Sequence, residues 1–219
     1  TDLFSVENPM DYFGNPDVCI HLAWADGFIH HSKKHMEQVS SHFIFLTNLI
    51  DNGIKSIAVM GSMHEVGYHE GIVDESTKTN PMSLYALSKD TLRKSLEMYL
   101  KDKASKLMWL RGFYILGGDY GNSVFGKIKS AAKRGEKDFP FTTGISQFDF
   151  LDVDELAEQI ALSGTQHEIT GIINVCSGKP IAIKTVVESF IKQENLDIKM
   201  NYGTFKERPY DSKIIYGDS

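Results

Sequence analysis

A tyrosine and a lysine four residues apart, Tyr85-Ala-Leu-Ser-Lys89, and a serine closing an apolar run, Val59-Met-Gly-Ser62, are the residues of this chain best suited to moving a proton. On a helix, positions i and i+4 share a face, so Lys89 would hold its positive charge near the Tyr85 hydroxyl. A cation there favours the phenolate and draws the phenol below its usual value of about 10. Tyr85 then becomes a usable general acid or base. Ser62 would hydrogen-bond the carbonyl or hydroxyl oxygen whose proton Tyr85 exchanges, fixing it for reaction. The same Tyr-x-x-x-Lys spacing recurs at Tyr99 with Lys103 and at Tyr202 with Lys206. Only the first pair has a strand-end serine upstream and a helix start beneath it, and the other two read as surface tyrosines over solvated lysines.

Elements that would carry these residues follow from periodicity. Asp17-Val-Cys-Ile-His-Leu-Ala-Trp24 is a short apolar run expected to form a strand buried on both faces, as parallel strands are. From about Ser32 to Asn52, Met36, Val39, Phe43, Leu46, Leu49 and Ile50 recur at helical intervals up to Gly53, and the strand Ser56 to Met60 follows. Strand, helix and strand with short joints make a right-handed βαβ unit of a parallel sheet. The unit repeats: Pro81 stands near a helix start, the helix runs to about Lys103, and the strand Leu107 to Phe113 comes next. Beyond the glycine-rich stretch 117–122 the spacing predicts a helix over 123–133, a strand around 148–151, a helix opened by Asp152, and a last pair formed by the strand 171–176 and the helix 183–193. Ligands of open parallel sheets sit outside the carboxyl ends of the strands. Ser62, the stretch from Trp24 to Gly27 and Tyr114 all fall at such ends.

Composition narrows the function further. A chain of 219 residues with 42% hydrophobic and 24% charged residues is an ordinary globular one with enough material for a substantial core. Its formal net charge of −6 and lack of a dense basic block argue against a nucleic-acid partner. Cys19 and Cys176 lie in apolar runs and read as buried, reduced thiols. No apolar stretch reaches the ~18 residues that cross a bilayer, and the polar opening is no signal peptide, so the expected location is cytoplasmic. His30, His31 and His35 beside Lys33 and Lys34 read as a solvated helix start rather than a metal site.

Six stretches in order carry a family resemblance: Ala58-Val-Met-Gly-Ser62, Tyr85 to Lys89, Leu110-Arg-Gly-Phe-Tyr-Ile-Leu-Gly117, Asp149-Phe-Leu-Asp-Val-Asp-Glu-Leu-Ala157, Ile173-Asn-Val-Cys-Ser-Gly178 and Arg208-Pro-Tyr-Asp211. Together they resemble the extended short-chain dehydrogenases/reductases, closest to the nucleotide-sugar epimerase/dehydratase group. The resemblance implies an α/β fold, a Rossmann-like doubly wound parallel sheet with a small C-terminal substrate-capping part. Residues 1–114 would form a partial NAD(P)-binding domain with the catalytic residues, and 115–219 would complete the sheet and bind the sugar nucleotide. It implies NAD or NADP as cofactor and a nucleoside-diphosphate sugar as substrate. By position, Ser62, Tyr85 and Lys89 would be catalytic. Asp2, Leu3, Leu22, Ala23, Tyr85, Lys89, Tyr114 and Ile115 would line the cofactor. Ser62, Met63, His64, Tyr85, Asn122 and Arg208 would face the substrate, Arg208 through a charge-assisted bond to phosphate. Family members commonly dimerise, here through the helices about 32–52 and 81–103.

Departures from the family pattern sharpen the expected reaction. No Gly-x-x-Gly-x-x-Gly strand-turn-helix precedes Asp2-Leu3. The chain therefore reads as an internal portion of a longer enzyme, beginning roughly fifty to sixty residues late, about one βαβ unit and a strand, and ending before a final helix. Met63 and His64 follow the serine where sugar 4,6-dehydratases carry Asp-Glu, which disfavours dehydration. Phe148 and Tyr114 replace a usual arginine and asparagine. The leading expectation is reduction of a nucleotide-linked 4-keto-6-deoxy sugar at C4 in polysaccharide sugar biosynthesis. A 4-epimerase of the same family is the alternative, and a truncated, non-catalytic sugar-nucleotide binder is the alternative of another class.

Overall fold

The structure, a computed structural model, describes residues 2–118, 121, 123–166, 168–207 and 211–218. In chain order it runs through a short helix α1 (Pro9–Tyr12), β1 (Val18–His21), α2 (Lys34–Asp51), β2 (Ser56–Met60), β3 (Gly71–Val73), α3 (Leu84–Tyr99) and β4 (Lys106–Gly112). The second part comprises β5 (Tyr114–Leu116), α4 (Val124–Lys133), β6 (Asp138–Pro140), β7 (Gln147–Asp152) and α5 (Val153–Thr165). It closes with β8 (Gly171–Val175), β9 (Pro180–Ala182), α6 (Ile183–Gln193), β10 (Lys199–Asn201) and β11 (Ile214–Gly217).

These elements sort into two compact units. The first takes residues 1–67, 75–112 and 157–175, and the second takes 68–74, 113–156 and 176–219. The first holds a four-stranded parallel sheet in the order β1-β2-β4-β8. Parallel strands need a crossover that buries its own apolar face. α2 and α3 supply it with Phe45, Leu46, Leu49, Ile50, Leu92 and Leu96, packed with Ile57, Val59 and Trp109 of the sheet. Ser83 starts α3 by accepting the Ala86 amide hydrogen at 3.2 Å, so the helix begins at Leu84 rather than at the expected Pro81. A side-chain acceptor on the capping residue decides where the turn starts.

In the second unit the sheet order is β3-β11-β7-β5, parallel throughout, with β9 antiparallel on β7. β6 and β10 form a separate parallel pair. Phe125, Ile128, Phe141, Phe150, Val187 and Phe190 make its core with α4 and α6.

One expectation is corrected. β1 is not buried on both faces and stops at His21: among the described residues it pairs with β2 alone, and Ile20 and Leu22 are exposed. An edge strand has a neighbour on one side only, so half its flank stays open to solvent. Cys19 is half-buried and Cys176 buried, and neither forms a disulfide among the described residues. Among the described residues no helix is long and apolar enough to cross a membrane.

Candidate active site

In the first unit the carboxyl end of β2 and the first turns of α3 bring Ser62, Tyr85 and Lys89 together. β2 is fully enclosed as far as Val59, and the chain then turns at Gly61, whose amide is held by the Leu110 carbonyl at 2.7 Å. Ser62, extended at φ −157° and ψ 144°, opens a 3-10 turn over Met63–Val66 and is buried. Its hydroxyl accepts the His64 amide hydrogen at 3.3 Å and is a hydrogen-bond partner of the Tyr85 hydroxyl. One turn further along α3 the Lys89 ammonium donates to the Met60 carbonyl at 2.6 Å and lies 3.8 Å above the centre of the Trp24 ring. Strand and helix thus deliver the three groups that their sequence spacing promised.

The electrostatics differ from the expectation. Lys89 does not pull the phenol down. Burial pushes Tyr85 up to about 12, against a smaller lowering by the Ser62 hydrogen bond. Burial also draws the Lys89 ammonium down to about 7. The lysine stands 5.9 Å from the centre of the Tyr85 ring, held by the Met60 carbonyl and the indole face. In a dry setting the loss of hydration outweighs an ammonium at that range. Tyr85 is therefore kept as a neutral phenol, a proton donor.

Aromatic and imidazole rings frame the phenol. His30 stacks on Tyr85 at 5.3 Å and 13°, and its carbonyl holds the Tyr85 amide at 2.9 Å. His64 packs edge-on to His30 at 4.8 Å, and burial followed by His30 lowers it to about 4, so it is a neutral imidazole near pH 7. His35, expected in a solvated helix start, is instead buried. Its Nδ1 accepts the Trp24 indole N–H at 3.1 Å, and its Nε2 lies 3.0 Å from the Ile29 carbonyl. Deeper in, His42 stacks on Trp24 at 4.5 Å and shares a 2.8 Å hydrogen bond with His21. Burial holds both of these rings well below the ordinary histidine value. Among the described residues no group of three His, Cys, Asp or Glu side chains could hold a metal ion.

Other sequence-predicted residues fall as follows. Leu22 and Ala23 lie exposed just beyond β1. Asp2 is exposed, and its carboxylate accepts the Phe4 amide hydrogen at 3.1 Å, while Leu3 packs against the core of the first unit. Met63 is buried. Tyr114 and Ile115 belong to β5 of the second unit, Tyr114 against Phe148 and Phe150 and Ile115 exposed. Asn122 and Arg208 lie outside the described residues. A residue missed by the sequence reading is Glu65, fully buried beneath Ser62 and bonded to its amide at 2.7 Å.

Comparison with known proteins places this arrangement. Residues 1–176 match the NAD dependent epimerase/dehydratase family, and a relative from Aggregatibacter actinomycetemcomitans, named dTDP-6-deoxy-L-talose 4-dehydrogenase (NAD(+)), is 40% identical over 99% of this chain and 81% of its own length. The chain belongs to that family. UDP-arabinose 4-epimerase 1 of Arabidopsis thaliana is 24% identical over 82% of the chain and 48% of its own length. In fold, the chain superposes along 100% of its length on 72% of a UDP-N-acetylglucosamine 4-epimerase from Methanobrevibacter ruminantium, with a TM-score of 0.84 and 24% identity. This family member is accordingly an enzyme of the extended short-chain dehydrogenase/reductase type with a Rossmann-like α/β fold, and it works with NAD or NADP.

Its own residues fit such a cofactor. An ammonium has three donors, and the Met60 carbonyl takes one of those on Lys89. Leu22 and Ala23 are exposed residues at the carboxyl end of a parallel strand, the end at which such sheets take their ligands.

Proposed function

We propose that the chain carries the proton-transfer half of an NAD(P)-dependent oxidoreductase acting at C4 of a nucleotide-linked 6-deoxy sugar, interconverting the 4-keto sugar and its alcohol. One observation carries the reading: a Tyr85 phenol, in its acid form at neutral pH, is hydrogen-bonded to the Ser62 hydroxyl one helical turn before Lys89, which the Met60 carbonyl and the Trp24 ring hold in place. That is the state needed to protonate an oxygen that gains charge as a carbonyl is reduced. When bound, the nicotinamide supplies the two-electron exchange at carbon. Ser62 holds the C4 oxygen through its hydroxyl, and Tyr85 delivers the proton to that oxygen. Lys89 donates to a ribose hydroxyl. His64, being neutral, lines the sugar side as a hydrogen-bond partner. Microscopic reversibility lets the same groups run the oxidation named for the Aggregatibacter relative.

Leu22, Ala23, Tyr114 and Ile115 are assigned to the cofactor, and Asn122 and Arg208 to the sugar nucleotide, the latter through phosphate. The division into a cofactor-binding part over 1–114 and a sugar-binding part over 115–219 belongs to the same proposal. So do self-pairing through α2 and α3, and work in the cytoplasm on sugars destined for polysaccharide. A 4-epimerase needs the same groups and is the second reading, supported by the plant relative.

The deciding assay incubates the purified protein with dTDP-6-deoxy-L-talose and NAD, then with UDP-arabinose and NAD, following NADH absorbance and product by chromatography. Stoichiometric NADH with the first sugar is the expected result. Net epimerisation of the second without NADH accumulation would replace the reductase reading by the epimerase one.

A further inference from the structure

A carboxylate that the proposed reaction does not use lies directly beneath Ser62. Glu65 is fully buried, and one of its oxygens accepts the Ser62 amide hydrogen at 2.7 Å. The Trp109 indole N–H is shared between both oxygens at 3.1 and 3.0 Å, and the Asn80 amide holds the Glu65 carbonyl at 3.0 Å. Ser62 and Glu65 thus form a capping box whose first residue is the serine itself. The packing leaves no slack. A Cβ on Gly61 would lie 2.2 Å from the indole nitrogen and 2.8 Å from a Glu65 oxygen, so the glycine is what lets strand end, indole and carboxylate meet.

Capping alone does not call for a buried charge, since glutamine serves at the same position of the motif. A carboxylate at a fully enclosed position persists where charged neighbours use it. The charged and titratable groups facing Glu65 are Lys89 and Arg93 of α3, Arg111 of β4, and the Tyr85 phenol. Arg93 Nε stands 3.9 Å away and also serves Asp90 and Glu97.

We propose that Glu65 is a positioning residue of the active site: it fixes Ser62 against Tyr85 through the Ser62 amide, and it supplies the negative charge that the Lys89 ammonium faces inside the protein. This rests on the reading of Ser62, Tyr85 and Lys89 as the proton-transfer set. Burial raises Glu65 to about 7 and lowers Lys89 to about 7, with the carboxylate the influence that raises the lysine again.

The test compares Glu65→Gln, which keeps shape and cap but removes the charge, with the unaltered enzyme and with Tyr85→Phe. In Glu65→Gln, kcat should fall about tenfold while KM for the sugar nucleotide moves less than about twofold, and the alkaline limb of the kcat profile should drop by about one pH unit as Lys89 loses its counter-charge. Infrared difference spectra should show a protonated-carboxyl band that titrates near neutrality in the unaltered enzyme and is missing from Glu65→Gln. If Glu65→Gln fails to fold, Trp109→Phe takes its place: losing the indole donor should carry the carboxyl band to higher pH and move the alkaline limb the same way as Glu65→Gln.

A Glu65→Gln enzyme with an altered melting temperature but an unchanged pH profile would reduce Glu65 to a structural cap and overturn the inference. An unmoved band and profile in Trp109→Phe would do the same. Turnover retained by Tyr85→Phe would overturn the underlying assignment itself, a result distinguishable from either of these.

Discussion

Glu65 in the first unit and Asp149 in the second are carboxylates with no exposure to solvent, and their partners differ in kind. Asp149 is held by the chain. One oxygen accepts the Ser177 amide and hydroxyl hydrogens at 2.8 and 2.6 Å, and the other accepts the Gly178 and Gly217 amides at 2.9 and 3.2 Å. It therefore pins the start of the loop after β8 and the end of β11 to β7. Glu65 takes one amide and one indole N–H and otherwise faces the permanently charged Arg93 and Arg111 together with Lys89 and Tyr85, which do titrate. Burial wins there and raises it to about 7. A buried carboxylate surrounded by fixed dipoles is architecture, whereas one left partly to titrating neighbours stays responsive to pH.

That contrast can be broken at either end. The largest effect is expected in the first unit, where Tyr85→Phe should cut kcat by about a thousandfold without lowering the melting temperature. Loss of both together would make Tyr85 a packing residue. Next comes Asp149→Asn, which presents an amide to donors that need an acceptor and should cost about 3 kcal/mol in urea unfolding. A loss below about 1 kcal/mol would remove the distinction drawn for the second unit.

A smaller, signed effect concerns acid. His21, His42 and His64 sit below the ordinary histidine value because of burial. The folded state thus binds fewer protons than the unfolded one between about pH 4 and 6.5, and these residues stabilise above that window and lose their contribution as pH falls through it. Glu65, raised instead, stabilises at low pH and loses its contribution as pH rises toward about 7. Three groups oppose one, so going from about pH 7 to pH 5 should cost about 3 kcal/mol net. A melting temperature flat over that interval would mean that the imidazoles are hydrated. The smallest change is expected at the exposed Arg134–Glu136 pair in the second unit, 2.7 Å apart, where Arg134→Ala should alter stability by less than about 0.5 kcal/mol. A larger loss there would show that surface pairing rivals the pin at Asp149.

Much of the first unit was legible because periodicity and spacing are local. β2, α2 and α3 follow from apolar intervals, and Ser62, Tyr85 and Lys89 converge as an i, i+4 pair facing a strand end must. What escaped depends on surroundings. The direction of the Tyr85 shift is a contest between burial and charge, and only the packed structure gives the distance from Lys89 to the ring and the desolvation of both. His35 looked solvated beside Lys33 and Lys34, yet the helix turns it inward onto Trp24. Glu65 did carry a signal, the Ser-x-x-Glu of a capping box, but its burial depends on Trp109, which arrives from a strand 44 positions later.

The order in which the first sheet is laid down along the chain governs how the protein can be made. β4 waits for β8, which begins only at Gly171 after about half of the second unit has been synthesised, and Gly164 of α5 fits against Ile20 and Ala58. A nascent chain therefore emerges with the β4 edge unpaired and apolar until Gly171 and the strand it opens are made, and closing that edge joins segments far apart in sequence. Completion of the first sheet must wait until elongation has passed Gly171, and the interval before β8 arrives is the time at which a chaperone would have most to protect.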